Sequence, residues 1–299
     1  MSVKKRKNSV KKENRIAYLF VAPALILFIL FVGYPLIASA CLMFCDYNLI
    51  SPPKFKGLAN IIKFFRDKEV PLVMLSSLKL LLVLVPMHVI FGLGLACLVN
   101  RTGKKMSAVY RVIIYIPTIM TTVSVATAWS YLYDTDFGVF NYFLGKLGIG
   151  KIPWLNSSAW AFWAIIIFSL WKFVGTPFLY YIIGLQNIPA SFYEAAEIDG
   201  AGGRQKFFYI TLPMLTPTIF MVVVLSLISY IQCFDEPYIL TGGGPGISTT
   251  TVSLYIYRNF QAQNISYASI LSVFLFILIM AVTIFQFKMS DKWVNYDTE

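Results

Sequence analysis

Charge is what this sequence has least of. Only 13% of its 299 residues are Asp, Glu, Lys or Arg, while 58% are hydrophobic. Soluble domains run at about 25% charged, so the composition points to a membrane protein. Histidine is scarcer still. His88 stands alone in an apolar run, which leaves no zinc set and no nucleophile–base constellation. The four cysteines, Cys41, Cys45, Cys97 and Cys233, form no CxxC pair and lie in or beside apolar runs, so they read as packing residues. No catalytic residue and no metal ligand is therefore assigned. A phosphate-binding loop is also lacking. Residues 145–151, GKLGIGK, nearly spell one, but Ile152 stands where a Ser or Thr must ligate Mg²⁺, and no strand precedes it. The chain is not expected to hydrolyse ATP itself. The net charge of +11 would suit nucleic acid only in a far more polar chain, so no such partner is expected.

What the sequence has in abundance is apolar length. About 20 helical residues cross a hydrocarbon core of about 30 Å. Six runs meet that need: 17–41, 79–99, 112–133, 160–185, 213–233 and 266–287. The first follows a basic start, as in a signal peptide. However, 16–44 holds 29 uncharged residues, well past the ~7–15 of a cleaved apolar segment, and is read as retained. Lys79 sits where its head can reach the interface. The third run closes on Trp129, Tyr131 and Tyr133, which read as an aromatic belt. Pro23, Pro35, Pro86, Pro117, Pro177 and Pro217 fall inside runs, where they kink helices. No internal repeat stands out.

Lys and Arg set the orientation. Residues 1–15 carry Lys4, Lys5, Arg6, Lys7, Lys11, Lys12 and Arg15 against one acid, Glu13. Both termini are therefore expected in the cytoplasm, and the basic excess is a topology signal with some affinity for anionic lipid. The expected division is a basic tail (1–15), a first transmembrane helix (16–44), a transmembrane core (72–287) and a second cytoplasmic tail (288–299).

This orientation puts the most polar stretch of the second half, 191–213, inside. Ser191 with Glu194 three residues on predicts a capping box, and Gly200 a helix stop with φ > 0. Phe192, Ala195, Ala196 and Asp199 then share one face. A helix of two turns is unstable alone, so it must dock on something.

Glu194-Ala195-Ala196, Asp199-Gly200-Ala201, Phe207-Phe208, Ile210, Leu212 and Pro213 follow one another in that order. They resemble the EAA loop of ABC-importer permeases, the coupling helix that inserts into a cleft on a cytoplasmic ATPase. Outside, Phe234-Asp235, the run Tyr238–Pro245 (YILTGGGP), Ser248-Thr249 and Tyr255-Ile256-Tyr257 resemble the carbohydrate-uptake branch of that family, the maltose, glycerol-phosphate and multiple-sugar importers. Ala22-Pro23-Ala24, Tyr34-Pro35, the stretch 92–96 (GLGLA) and the stretch 185–189 (LQNIP) add to the likeness, which covers most of 16–288 but not the basic tail.

The resemblance implies an all-α membrane protein with six transmembrane helices, both termini cytoplasmic, and a type I ABC-importer permease fold with a cytoplasmic coupling helix in the loop 189–213. It implies a carbohydrate importer, for an oligosaccharide or glycoside, in a bacterial or archaeal inner membrane. The implied partners are a second permease chain in a heterodimer, two ATPase subunits that carry the ATP and Mg²⁺, an extracytoplasmic sugar-binding protein and the lipid bilayer. No cofactor is expected on this chain. Glu194, Ala195, Ala196, Asp199 and Gly200 are the expected ATPase-coupling residues. Trp171, Lys172, Thr176, Tyr230, Gln232 and Asp235 are the expected substrate-pathway residues, since planar amides, carboxylates and aromatic faces suit sugars. Intramembrane polar groups are in any case the default site candidates. For Lys172 the alternative is a head that pairs with an acid or reaches water; for His88 it is a hydrogen-bonded packing role. Three other functions stay open. A glycerol-phosphate or polyol substrate is one, since Lys172 would suit an anion. A secondary transporter is another, though it should show inverted repeats or intramembrane acids, and the first three runs have no Asp or Glu. The third is a non-transporting scaffold that docks through the same loop.

Overall fold

The computed structural model describes residues 18–294. The basic tail 1–15 and the last five residues of the second tail lie outside the described residues. Helix α1 (Tyr18–Leu42) leads through a two-residue antiparallel ribbon, β1 (Cys45–Asp46) and β2 (Lys54–Phe55), to α2 (Ala59–Arg66). Then follow α3 (Glu69–Asn100), α4 (Lys104–Ile119), α5 (Thr122–Leu132), α6 (Val139–Lys146), α7 (Ser158–Phe173), α8 (Gly175–Gln186), α9 (Ala190–Ile198), α10 (Gly203–Met214), α11 (Thr216–Ile231), α12 (Val252–Gln261) and α13 (Ile265–Ser290). The ribbon is the one departure from an all-α chain among the described residues.

The chain groups into two compact units, one of residues up to 66 with 259–274, the other of 67–258 with the residues from 275 on. In the first, α1 has a mean hydropathy of 2.5 over its most apolar stretch, none of it buried. Pro35 has no N–H to donate, and a π turn at Ile29–Gly33 just before it takes up the mismatch. Lys56 lies 2.6 Å from Asp46 across the ribbon and holds that carboxyl below the usual carboxylate range. Phe64 packs on Phe274, with ring centroids 5.0 Å apart.

The second unit contains the site. Its backbone is α3, which begins at Glu69 rather than at Lys79. Its 32 residues make it about 48 Å long, more than the hydrocarbon needs. It packs along α8 and α11. One apolar cluster gathers Leu80, Leu84, Ala126, Tyr133, Ile165 and Phe168; a second gathers Ala96, Phe178, Tyr181, Ile182, Leu215 and Val222.

Straight helices over 112–133, 160–185 and 213–233 do not form. By length and composition, three helices can cross a membrane singly (α1, α3 and α13), and three further crossings require a bent pair each. The α4–α5 pair turns by 94°, α7–α8 by 43° and α10–α11 by 62°. The reasons are local. Met120 and Thr121 adopt extended backbone, ψ 150° and 131°, so the helical ladder stops there. Pro177 clashes with the carbonyl four residues before it, at Phe173, and the chain bends at Val174. Pro217 acts likewise on Pro213, and the bend falls at Leu215.

The aromatic belt also needs correcting. Tyr131 is exposed, but Tyr133 is buried, with its hydroxyl donating to the Ala164 carbonyl at 2.9 Å. Trp129 stacks against Tyr133, Phe140, Phe168 and Trp171. These rings fill the joint between α5 and α7 instead of lining an interface.

The α4–α5 and α7–α8 bends meet at Gly175. A Cβ there would lie 2.6 Å from Thr118 Oγ1 and 2.9 Å from the Ile114 carbonyl, so a backbone must shift. Gly175→Ala is expected to cost about 1–3 kcal/mol, as overpacking does. The measurement is the unfolding midpoint of the detergent-solubilised protein, and an unchanged midpoint would rule out this close approach.

Candidate functional site

Four of the six expected pathway residues meet in one place. A cavity of about 410 Å³ lies between the middle of α3, the start of α8, the second half of α11 and the chain just beyond it. Ligand pockets commonly hold about 300–1,000 Å³. Thr176 lines it from α8; Tyr230, Gln232 and Asp235 line it from α11 and the following turn. The bends put them there. Because α7–α8 breaks at Val174, Thr176 stands at the head of a new helix. Because α11 ends at Ile231, Gln232 projects from a turn, and Asp235 and Glu236 stand at the start of a new helical segment that continues through Pro237–Thr241.

Tyr230 is buried beneath the cavity surface, at 6% exposure. Its hydroxyl lies 3.0 Å from His88 Nε2, while His88 Nδ1 lies 2.9 Å from the Leu84 carbonyl. Leu84 can only accept, so Nδ1 donates to it and Nε2 accepts from the tyrosine. The same hydroxyl lies 3.2 Å from Nδ1, so the tyrosine faces both ring nitrogens. His88 is thus hydrogen-bonded packing, as expected, and a wall of the cavity as well.

Lys172 and Trp171 are elsewhere. Lys172 is 1% exposed and does not line the cavity. Its Nζ donates to the carbonyls of Met120 at 2.7 Å and Thr118 at 3.1 Å, and Thr118 Oγ1 donates back to the Lys172 carbonyl at 3.0 Å. These are the carbonyls left without partners where α4 stops. An ammonium with three donors at a helix C-terminus suits the position twice, as hydrogen-bond partner and as charge against the helix dipole. Within this chain the Lys172 head joins two bends and lies outside the cavity that the other four residues line. Trp171 is half-exposed and stacks on Trp129 at 5.0 Å.

The structure adds polar groups that the sequence reading passed over. Ser226, Ser229 and Glu236 line the cavity. Ser226 and Ser229 fall with Val222 and Tyr230 on one helical stripe, at i, i+4, i+7 and i+8, a signal present in the apolar run. Glu236 is 6% exposed, and Cys233 Sγ donates to its Oε2 at 3.2 Å. An acid three residues beyond an apolar run was also a signal.

The loop 189–213 forms a second feature. Helix α9 has no buried residue. The Ser191–Glu194 capping box does not form. The helix starts one residue earlier, at Ala190, with Pro189 before it in extended backbone and no side-chain cap, so Ser191 is already inside the first turn. The other end is as predicted. Gly200 has φ +76°, its N–H reaches the Glu197 carbonyl, and the Ala201 N–H reaches the Ala196 carbonyl at 2.8 Å, a Schellman stop. Glu194, Ala195 and Asp199 are exposed and Ala196 is half-buried. The sequence reading missed Ile198, which is 88% exposed; with Phe192, at 46%, and Ala195 it forms a ridge at spacings of three. Two links tie α9 to α10. Lys206 lies 2.6 Å from Glu197 and holds that carboxyl below its usual range, and Tyr193 and Thr211 share a hydrogen bond of 2.9 Å.

Comparison with known proteins agrees on one family. Residues 88–296 match the model of the binding-protein-dependent transport system inner membrane component. A sulfoquinovosyl glycerol transport system permease protein of Agrobacterium fabrum is 38% identical, over 91% of this chain and 89% of that protein. A trehalose/maltose transport system permease protein of Thermococcus litoralis is 33% identical, over 93% and 94%. A chain of a bacterial alginate ABC transporter, crystallised in complex with an alginate pentasaccharide-bound periplasmic protein, shares the fold. Its TM-score is 0.81 at 24% identity, over 93% of this chain and 95% of that one.

The Lys172 geometry yields a prediction. Lys172→Met orphans two buried carbonyls, each worth about 1–3 kcal/mol when left without a partner. The thermal midpoint should fall while ligand selectivity stays as in the wild type. A selectivity change at unaltered stability would put Lys172 back in the ligand path.

Proposed function

The chain belongs to the family of binding-protein-dependent transport system inner membrane components, whose members are permease subunits and not enzymes, and from that premise we propose that it is one permease subunit of an ATP-driven carbohydrate importer. It forms half of the pathway beside a second, different permease chain. Two separate ATPase subunits bind ATP and Mg²⁺, and an extracytoplasmic binding protein delivers the sugar. This chain binds no cofactor. Its crossings number six, α1, α3, the three bent pairs and α13, with both termini in the cytoplasm. The relatives named for a sulfoquinovosyl glycerol and for trehalose and maltose support a sugar or glycoside. So does a cavity with serine and threonine hydroxyls, an amide, carboxylates and a tyrosine face, groups that bond hydroxyls and stack on sugar rings.

The observation that carries the coupling role is the unburied helix α9. A nine-residue helix is unstable alone and exposes Phe192 and Ile198. We assign it to a cleft on an ATPase, with Glu194 and Asp199 making charge-assisted bonds there, Ala195 and Ala196 permitting close approach, and Gly200 ending it. When the two ATPases close on ATP, α9 moves, and the cavity turns from one side of the membrane to the other. The cycle requires that the sugar bind the two states differently.

Tagging the chain in its native membrane and identifying what co-purifies tests the assembly: an ATPase, a second permease and a solute-binding protein are expected. A homo-oligomer active in liposomes without ATP would defeat it. In the assembled complex, Ile198→Asp and Glu194→Lys should each lower binding-protein-stimulated ATP hydrolysis at least about tenfold, equal to about 1.4 kcal/mol of coupling. Wild-type hydrolysis in both variants would remove α9 from the coupling role.

A further inference from the structure

Family membership leaves the charge of the substrate open. The relatives named above are associated with a sulfonated glycoside in one case and with uncharged disaccharides in the other. The charge of the cavity wall bears on the choice.

Two carboxylates line the cavity, Asp235 and Glu236, and they are adjacent in the chain. Asp235 is exposed at its mouth, whereas Glu236 is 6% exposed, in a wall whose other members are largely apolar. No Lys or Arg is among the residues that line it. The imidazole of His88 is taken up by the Leu84 carbonyl and the Tyr230 hydroxyl. Among the described residues the cation within electrostatic reach of Glu236 is Lys172, and its head is directed away, onto the carbonyls of Thr118 and Met120. It offsets part of one charge and presents no donor to a ligand. Burial pushes the Glu236 carboxyl up from the usual carboxylate range, so the net negative charge of the wall contributed by this chain is carried by Asp235, and the wall is rich in acceptors.

We infer that the cavity admits uncharged, hydroxyl-rich sugars and rejects anionic ones. This rests on the reading of the cavity as a sugar site. Sugar hydroxyls donate, and a carboxylate accepts through two oxygens, so a neutral glycoside meets Asp235 with charge-assisted bonds and Glu236 as a further acceptor. The anionic group of a uronate, sulfonate or phosphate ester brings only lone pairs and a like charge to a place where the dielectric is low and screening is weak. Discrimination arises from the repulsive element as much as from the attractive one.

The test uses the purified permease–ATPase complex without its binding protein, so that delivery does not filter the ligands. The probes are matched pairs of aryl hexosides and aryl hexuronides, with binding read by saturation-transfer NMR. The wild type should bind at least one neutral member and bind its uronide at least about tenfold more weakly, equal to about 1.4 kcal/mol. Asp235→Asn should narrow that ratio, and Glu236→Gln should narrow it less. Asp235→Asn, at the exposed position, keeps the test open should the buried substitution fail to fold. Equal or tighter binding of the uronides by the wild type would overturn the charge inference and leave the sugar cavity standing. Binding of no probe would remove the cavity as a sugar site and the inference with it.

Discussion

Hydrocarbon offers no hydrogen bonds, so every backbone group within a membrane must find its partner inside the protein. An unbroken helix does this by itself, as α3 does over 32 residues. Each break in a helix instead leaves carbonyls and N–H groups to be met by something else. This chain breaks three of its candidate crossings, and much of its polar chemistry answers those breaks. Lys172 meets the carbonyls at the end of α4. Thr118 ties that end to the end of α7, and Thr216 Oγ1 donates to the Pro213 carbonyl at 2.8 Å where α10 gives way to α11. A buried lysine is costly in isolation. Here its cost is offset by two carbonyl acceptors at a helix C-terminus, which explains how an ammonium with 1% exposure is tolerated.

The same breaks make the cavity. A straight helix through 160–185 would carry Thr176 past the wall on a continuous surface, and a straight run into 235 would keep Gln232 and Asp235 on the side of α11. Bending frees the first turn of α8 and the turn after α11 to face one space. The groups that hold the bends and those that line the cavity are consequently different residues. Lys172 and Trp171 do the first, while Thr176, Gln232, Asp235 and Glu236 do the second.

The divide between what could be read in the sequence and what could not follows from this. Apolar length and Lys/Arg placement made a membrane protein legible, and the spaced Glu194–Pro213 pattern made the family legible. Gly200 was readable because only φ > 0 fits its place. Polar residues in apolar runs are legible as a class, but the partners of Lys172 are not, because a sequence does not show where a carbonyl will be orphaned. That depends on Met120 and Thr121 leaving the helix 52 residues earlier in the chain. The Ser191 cap failed for a smaller reason, a one-residue shift of the helix start that Pro189 imposes. Glu236 was not legible beside Asp235 because a sequence does not show which of two adjacent acids is buried when the chain turns back.

The rods between these two regions decide whether motion at one can reach the other. Helix α8 starts at the cavity with Thr176 and ends at Gln186; its 12 residues form a rod about 18 Å long. Only Asn187, Ile188 and Pro189 separate it from α9, and Pro189 has a fixed φ. On the other side, α9 is clipped to α10 through Glu197–Lys206 and Tyr193–Thr211, and α10 continues through one bend into α11, whose far end is the opposite cavity wall. Both walls are thus connected to the same small helix over short links. A long flexible linker at either joint would absorb a displacement of a few ångströms. Three residues, one of them proline, and a clasped hairpin cannot. In the proposed cycle the bends at Val174 and Leu215 are the points about which the two rods would turn, with the Lys172, Thr118 and Thr216 bonds beside them.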